Sequence, residues 1–340
     1  MKLALLGKQQ PWRNTSKGGN VFMEKCTAGS PESFDPLGGD LWFPKETTTE
    51  EEMLDYWGDW GCSSEYEPLK AVLMRRPGKE IDDFDYRKVR FRSAVDPEVF
   101  RRQHDGLAQF YRSHGIKVYY VEEQRPDKPN AVFCRDLCLM TPEGAIVCRP
   151  ALEARRGEEA AVARQLAALN IPIVRTIVGD GYFEGANVMW IDRRTAILAV
   201  GSRANRSGAE QVAFELKRMG VELVYMQTPC GQAHIDGVFN IAGPETVYMY
   251  PPQVPYDISA FMRKRGFKIL ECPETKECKE GFAVNFVAIA PNEVVMPAGN
   301  PQSQELLAAN GIKVHTLDYS EVVKAWGGMH CCTAFLKREK

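Results

Sequence analysis

One signature recurs five times in this chain: an amphipathic helical pattern, a Gly or Asn stop, then an apolar strand. The instances are HGIKVYYV around Gly115, LNIPIVRT around Asn170, MGVELVYM around Gly220, RGFKILEC around Gly266 and NGIKVHTL around Gly311. Gly and Asn suit such stops because the residue past a helix's last turn takes a left-handed conformation. Successive stops are 55, 50, 46 and 45 residues apart, a period that implies five copies of one supersecondary unit. Between the stops lie pairs of β-rich runs around turn residues. AVFCRDLCLM turns at TPEG into AIVCR, NVMWID turns into TAILAV, GVFNIA turns at GPE into TVYMY, and NFVAIA turns at PNE into VVMP. The fifth copy has only CCTAFL at the C-terminus, and its missing partner is PLKAVLMRRP near the start. Pairing those two closes a ring and removes a free sheet edge. An ordinary α/β domain, in which Gly also follows helices, is the plainer alternative.

With 43 basic and 45 acidic residues the net charge is −2, so no positive excess points to nucleic acid or an anionic membrane. The apolar run Leu3–Leu6 is too short for a signal peptide, and no stretch approaches a spanning helix. The expectation is a soluble cytoplasmic protein whose ten cysteines are reduced and mostly buried. Their spacing contains no C-x-x-C, so no structural zinc is expected.

Polar residues that a buried strand would not choose fall at similar places in the copies. Asp136 lies 21 residues after Gly115, Glu184 14 after Asn170, His234 14 after Gly220, Asn285 19 after Gly266 and Cys331 20 after Gly311. A cyclic arrangement brings all five toward one axis. In WGGMHCCT, Gly327 and Gly328 allow tight backbone geometry before two thiols, and a cysteine with a distant His is the ingredient list for nucleophilic catalysis. This reasoning does not separate Cys331 from Cys332, and a random cysteine is usually structural. In AHIDGVFN, His234 and Asp236 share a face if the run is extended. Arg135 and Asp136 interrupt an apolar run, where a structural ion pair is the simplest reading. Glu184 precedes Gly185 and an apolar strand, a common place for a turn carboxylate. Together the set suits one chemistry: carboxylates hold a planar cation, a thiol attacks its central carbon, and His moves protons.

At these residues the chain resembles the arginine deiminase, dimethylarginine hydrolase and amidinotransferase superfamily, the penteins. The resemblance runs from about residue 64 to the C-terminus. It implies a single catalytic domain over 64–340, a five-bladed α/β propeller of pseudo-five-fold ββαβ repeats, after an irregular extension at 1–63. FCRD is similar to the family's F-x-R-D, which implies guanidinium binding by Asp136. FEGAN resembles E-G-G-D and gives Glu184 the role of orienting His234. HIDGVF resembles H-[IL]-D-x-x-F and implies general acid/base work by His234 and a second guanidinium contact from Asp236. GGMHC resembles the terminal G-G-x-x-C, which selects Cys331 as nucleophile. AVGSRANRSGAE is similar to a segment containing R-T-N, which implies that Arg203 binds the substrate carboxylate. Asn285 is expected among the substrate-binding residues. Ala186-Asn187 for Gly-Asp, Ala204 for Thr and Gly237 after H-x-D depart from the family pattern.

The implied activity is hydrolysis of arginine or a derivative through a cysteine amidino-thioether, with no metal or cofactor and a small guanidino substrate as partner, in a monomer or homodimer. Amidinotransfer to an amine is the first alternative, favoured by AHIDGVFNIAGPE and by the N-terminal length; Glu184 and Arg203 favour the hydrolases. A non-catalytic protein-binding ring is the second, and the intact constellation argues against it. The extension at 1–63 is suited to covering the pocket.

Overall fold

The computed structural model describes residues 45–339 except Gln124. The chain divides at Thr47/Thr48, and every regular element described lies in the unit from Thr48 onward. Strands β1 (Leu69–Met74) and β2 (Lys117–Tyr120) begin the first sheet. β3 (Cys138–Thr141), β4 (Gly144–Val147) and β5 (Ile173–Thr176) form the second. β6 (Val188–Asp192), β7 (Thr195–Val200) and β8 (Glu222–Gln227) form the third. β9 (Phe239–Gly243), β10 (Thr246–Met249) and β11 (Lys268–Glu271) form the fourth. β12 (Val287–Ala290), β13 (Glu293–Pro297) and β14 (Lys313–Leu317) form the fifth, and β15 (Ala334–Arg338) returns to the first. Each sheet has three strands: an antiparallel pair whose later-hydrogen-bonded neighbour runs parallel after a helical crossover. The ring closes where β15 pairs antiparallel with β1, Val72 opposite Phe335 and Leu73 opposite Ala334. This is the five-fold ββαβ pentein propeller that the repeat and the resemblance imply.

The five stops do the work their residue types predict. Gly115, Asn170, Gly220, Gly266 and Gly311 have φ of 74°, 58°, 76°, 88° and 80°, the left-handed conformation that ends a helix and redirects the chain into a strand. The inner strands are predominantly apolar because both faces are covered; β3, β4 and β9 are buried at every position. The third strands lie toward the rim and are only partly buried. Helix Pro97–Ser113 starts on the Asp96 cap, with Pro at its first turn, and buries Phe100, His104, Leu107, Ala108 and Tyr111, one stripe at helical spacing. Leu107 is fully buried, so Leu107→Ala is expected to lower stability by about 2–5 kcal/mol, read from the urea midpoint.

Within the extension, an acidic segment forms a short helix at Thr49–Glu52, fixed by reciprocal bonds between Thr48 and Glu51, and continues as a π-turn at Met53–Trp57. Within 48–63, Gly61 forms a bridge with Lys337. The expectation that the extension covers the pocket concerns mainly residues 1–44, which lie outside the described residues.

Candidate active site

The five singled-out polar residues occupy one structural position. Each stands just ahead of the first strand of a sheet's hairpin: Asp136 before β3, Glu184 before β6, His234 before β9, Asn285 before β12 and Cys331 before β15. Two local expectations need correction. FCRD is not strand; Cys134–Asp136 form a 3-10 turn and β3 starts at Cys138. His234 is extended, but Ile235–Gly237 turn as a 3-10 helix, so His234 and Asp236 do not share a face. The turns let charged side chains leave the apolar sheets before their strands begin.

A cavity of about 630 Å³ opens at these turns, with Asp136, His234, Cys331, Arg203 and Arg155 in its wall. His234 Nε2 lies 2.6 Å from Glu184 Oε2, and its Nδ1 is 3.7 Å from Asp136 Oδ1. Glu184 is fully buried, accepts the Ala151 amide at 3.0 Å, and has Arg203 Nη1 at 3.5 Å. Burial would raise the Glu184 carboxyl, but His234 and the arginines outweigh it and hold it at about 2. Burial also disfavours a charged His234, yet Asp136, Glu184 and Asp236 together raise its pKa above the usual histidine value. A histidine whose pKa is raised and whose ring is aimed by a carboxylate is equipped to donate a proton.

Cys331 and Cys332 separate here: Cys331 faces the cavity, whereas Cys332 is fully buried away from it. The turn that presents Cys331 is held by Asn285, whose Oδ1 accepts the His330 and Cys331 amides at 3.1 and 3.2 Å and whose Nδ2 donates to the Asp236 carbonyl. Asn285 is not among the residues lining the cavity, and its side chain holds the backbone that carries the thiol. A Cβ at Gly328 would lie 2.5 Å from Asn285 Oδ1, and one at Gly327 2.1 Å from the Phe133 ring, so both positions need glycine. Burial, with the charges of Asp236 and Asp136, raises the Cys331 thiol well above its ordinary pKa.

Asp236 also sits behind the cavity wall. Its Oδ2 lies 2.8 Å from His330 Nδ1 and 3.7 Å from Cys331 Sγ. The other side of His330 faces Glu65 Oε2 at 3.3 Å, and Glu65 Oε1 accepts from Arg135 at 3.0 Å. Burial opposes charge on Asp236, but His330 outweighs it and keeps its carboxyl low. Two carboxylates, the Arg135 guanidinium and the His330 imidazole, whose pKa Asp236 and Glu65 raise against burial, thus form a buried cluster in which each group offsets part of the desolvation of its partners.

Sequence reasoning missed Glu65, His330 and Arg155 as members of the site. Arg155, fully interior, donates from Nη1 to Asp136 Oδ2 at 2.5 Å and stands 3.7 Å from Glu184 Oε2. In LEARRGEE it looks like an ordinary charged surface run, so the sequence carried no signal for it. Asp136 Oδ1, by contrast, is buried without a hydrogen-bond partner. Asp136, Glu184 and His234 also present ligand atoms close enough for a metal ion, but the guanidinium groups of Arg155 and Arg203 already supply positive charge there.

The family described as N,N dimethylarginine dimethylhydrolase, eukaryotic, matches residues 74–338. An N(G),N(G)-dimethylarginine dimethylaminohydrolase of Pseudomonas aeruginosa is 29% identical over 217 residues, covering 61% of this chain and 77% of that protein. The solved Pseudomonas aeruginosa enzyme in complex with citrulline superposes with a TM-score of 0.67 at 22% identity, covering 79% of this chain and 99% of that one. The amidinotransferase SxtG of Microseira wollei, from the saxitoxin biosynthetic pathway, gives 0.67 at 15% identity over 83% and 98%. The same ring therefore carries both hydrolase and transferase relatives. From the match along residues 74–338, this chain belongs to the N,N dimethylarginine dimethylhydrolase family of the guanidino-modifying pentein superfamily.

Proposed function

We propose that this protein hydrolyses the guanidinium group of arginine or a methylated arginine, forming citrulline and ammonia or an alkylamine through a covalent intermediate on Cys331. The observation that carries this reading is Asp136 Oδ1, a buried carboxylate oxygen without a hydrogen-bond partner, in the wall of a cavity that also exposes Cys331 and His234. A substrate guanidinium satisfies that oxygen with a charge-assisted hydrogen bond. Arg155 keeps the other oxygen and so fixes the carboxylate's orientation. Arg203, in the cavity wall and partly exposed, suits the far carboxylate of an amino-acid substrate. Asp236 contributes negative charge beside Sγ from behind the wall.

The bound cation offsets the two carboxylates that hold the Cys331 thiol high, and so favours the thiolate. Sulfur attacks the guanidinium carbon, the electron pair moves onto nitrogen, and His234 gives its proton to the departing amine. An amidino-thioether remains. His234, now neutral, takes a proton from water, whose oxygen attacks the same carbon; collapse breaks the C–S bond, expels the Cys331 thiolate, releases the remaining hydroxyl proton to solvent and leaves the ureido product. Glu184 keeps the imidazole aimed throughout, as a triad carboxylate does.

Mass spectrometry of products, with arginine and dimethylarginine each offered with and without glycine, tests the proposal. Citrulline formed without an acceptor is the expected result. Ornithine formed only with glycine would make the chain an amidinotransferase instead. Among the described residues no helix is long and apolar enough to cross a membrane.

A further inference from the structure

Away from the cavity, one side-chain cluster has a donor set that the proposed chemistry does not use. His114, Glu293 and His315 each offer a ligand atom within 4.8 Å of the others. His114 follows the end of helix Pro97–Ser113, while Glu293 and His315 lie on the parallel strands β13 and β14. Val295 is opposite His315 in that register, so Glu293, two residues earlier, shares its face. The trio therefore spans the junction between the sheet that closes the ring and its neighbour.

One of the two imidazoles is anchored as a metal-binding histidine is, and the other already meets the carboxylate. His114 Nδ1 lies 2.8 Å from the Phe110 carbonyl; donating there leaves Nε2 with the lone pair, and metal-binding histidines usually anchor their second nitrogen in this way. His315 Nε2 is 2.7 Å from Glu293 Oε1. The Phe110 ring packs on both imidazoles, with centroids 4.1 and 5.1 Å away, and the two imidazole centroids are 5.1 Å apart. Lys313 Nζ also contacts Glu293 Oε1, but its side chain is 65% exposed and swings into water at little cost. Ligand atoms around one zinc ion stand about 3.3 Å apart by tetrahedral geometry, inside the 4.8 Å within which these three groups already lie.

Two imidazoles and one carboxylate match zinc and its neighbours in the first transition row, and do not match calcium or magnesium, which take mostly oxygen ligands. We propose that His114, Glu293 and His315 form a surface site for a divalent transition metal, with Zn²⁺ as occupant and water completing the coordination. The ion clips the helix of the ring-closing sheet to β13 and β14, and binding to the folded chain alone stabilises it by mass action. No Cys/His spacing announces this site, because its ligands are far apart in the chain.

The test uses the full chain, first freed of metal, titrated with Zn²⁺ and with Co²⁺ as a spectroscopic probe. His114→Gln, His315→Gln and the double variant are compared after their metal-free melting curves are matched to the parent. The expected result is one equivalent bound, about ten-fold or more weaker in each single variant and lost in the double. The Co²⁺ spectrum should lack thiolate charge-transfer bands, and Zn²⁺ should raise the melting temperature of the parent only. Unchanged binding in the double variant, a thiolate band on the bound Co²⁺, or no binding by the parent would each overturn the proposal.

Discussion

Cys331→Ala is expected to abolish turnover of arginine and dimethylarginine, with kcat falling on the order of 10⁶-fold, the scale seen when a covalent nucleophile is removed. Cys331 is the thiol in the cavity wall, whereas Cys332 is sealed away from it. Removing one sulfur from a site 6% exposed leaves the Asp136 and His234 contacts in place. Substrate binding should therefore persist in the variant, measurable by calorimetry, while product formation stops. Acid-quenched parent enzyme should carry one amidino group on Cys331 by peptide mass spectrometry, and the variant none. Full activity in Cys331→Ala would remove the covalent mechanism altogether. Cys332→Ala serves as the matched control and should retain turnover.

Glu184→Gln is expected to lower kcat by about 10³–10⁴-fold, the effect of neutralising a triad carboxylate while keeping its shape. The side chain is fully buried and its Oε2 meets His234 Nε2 at 2.6 Å. The variant also has a pH signature. His234 is held above its ordinary pKa, against burial, by Asp136, Glu184 and Asp236. Its acid form therefore survives to higher pH than that of an isolated histidine, and the alkaline limb of kcat/KM lies at that raised value. Glu184→Gln removes one of the charges that raise it, so the alkaline limb moves to lower pH. A loss of kcat with an unmoved alkaline limb would show that Glu184 acts on folding or access and not on His234. The melting temperature separates these cases, since Arg155 and Arg203 would lose a counter-charge.

Much of the architecture was legible because its cause is local. Five Gly or Asn stops have a left-handed backbone requirement that few other residues meet, and inner strands covered on both faces are predominantly apolar. Those two signals yielded the five-fold ring and its closure by β15 on β1. The turns were less legible: Arg135, Asp136 and Asp236 were read on extended backbone, yet all sit in 3-10 turns. A β-rich composition does not reveal the residue at which a strand begins.

The sequence by itself determined the repeat, its ring and the short list of polar residues at its five entrances, since periodic punctuation and misplaced charge are properties of neighbouring residues. Only the tertiary structure decided what each one touches. It put Cys331 in the wall and Cys332 behind it, turned Asn285 toward the thiol's backbone, paired Asp236 with His330, set Arg155 against Asp136, and brought Glu65 into the buried charge cluster. Those outcomes depend on burial and Coulomb interactions between groups up to 265 residues apart, and such energies are fixed by distance in space and not by distance along the chain.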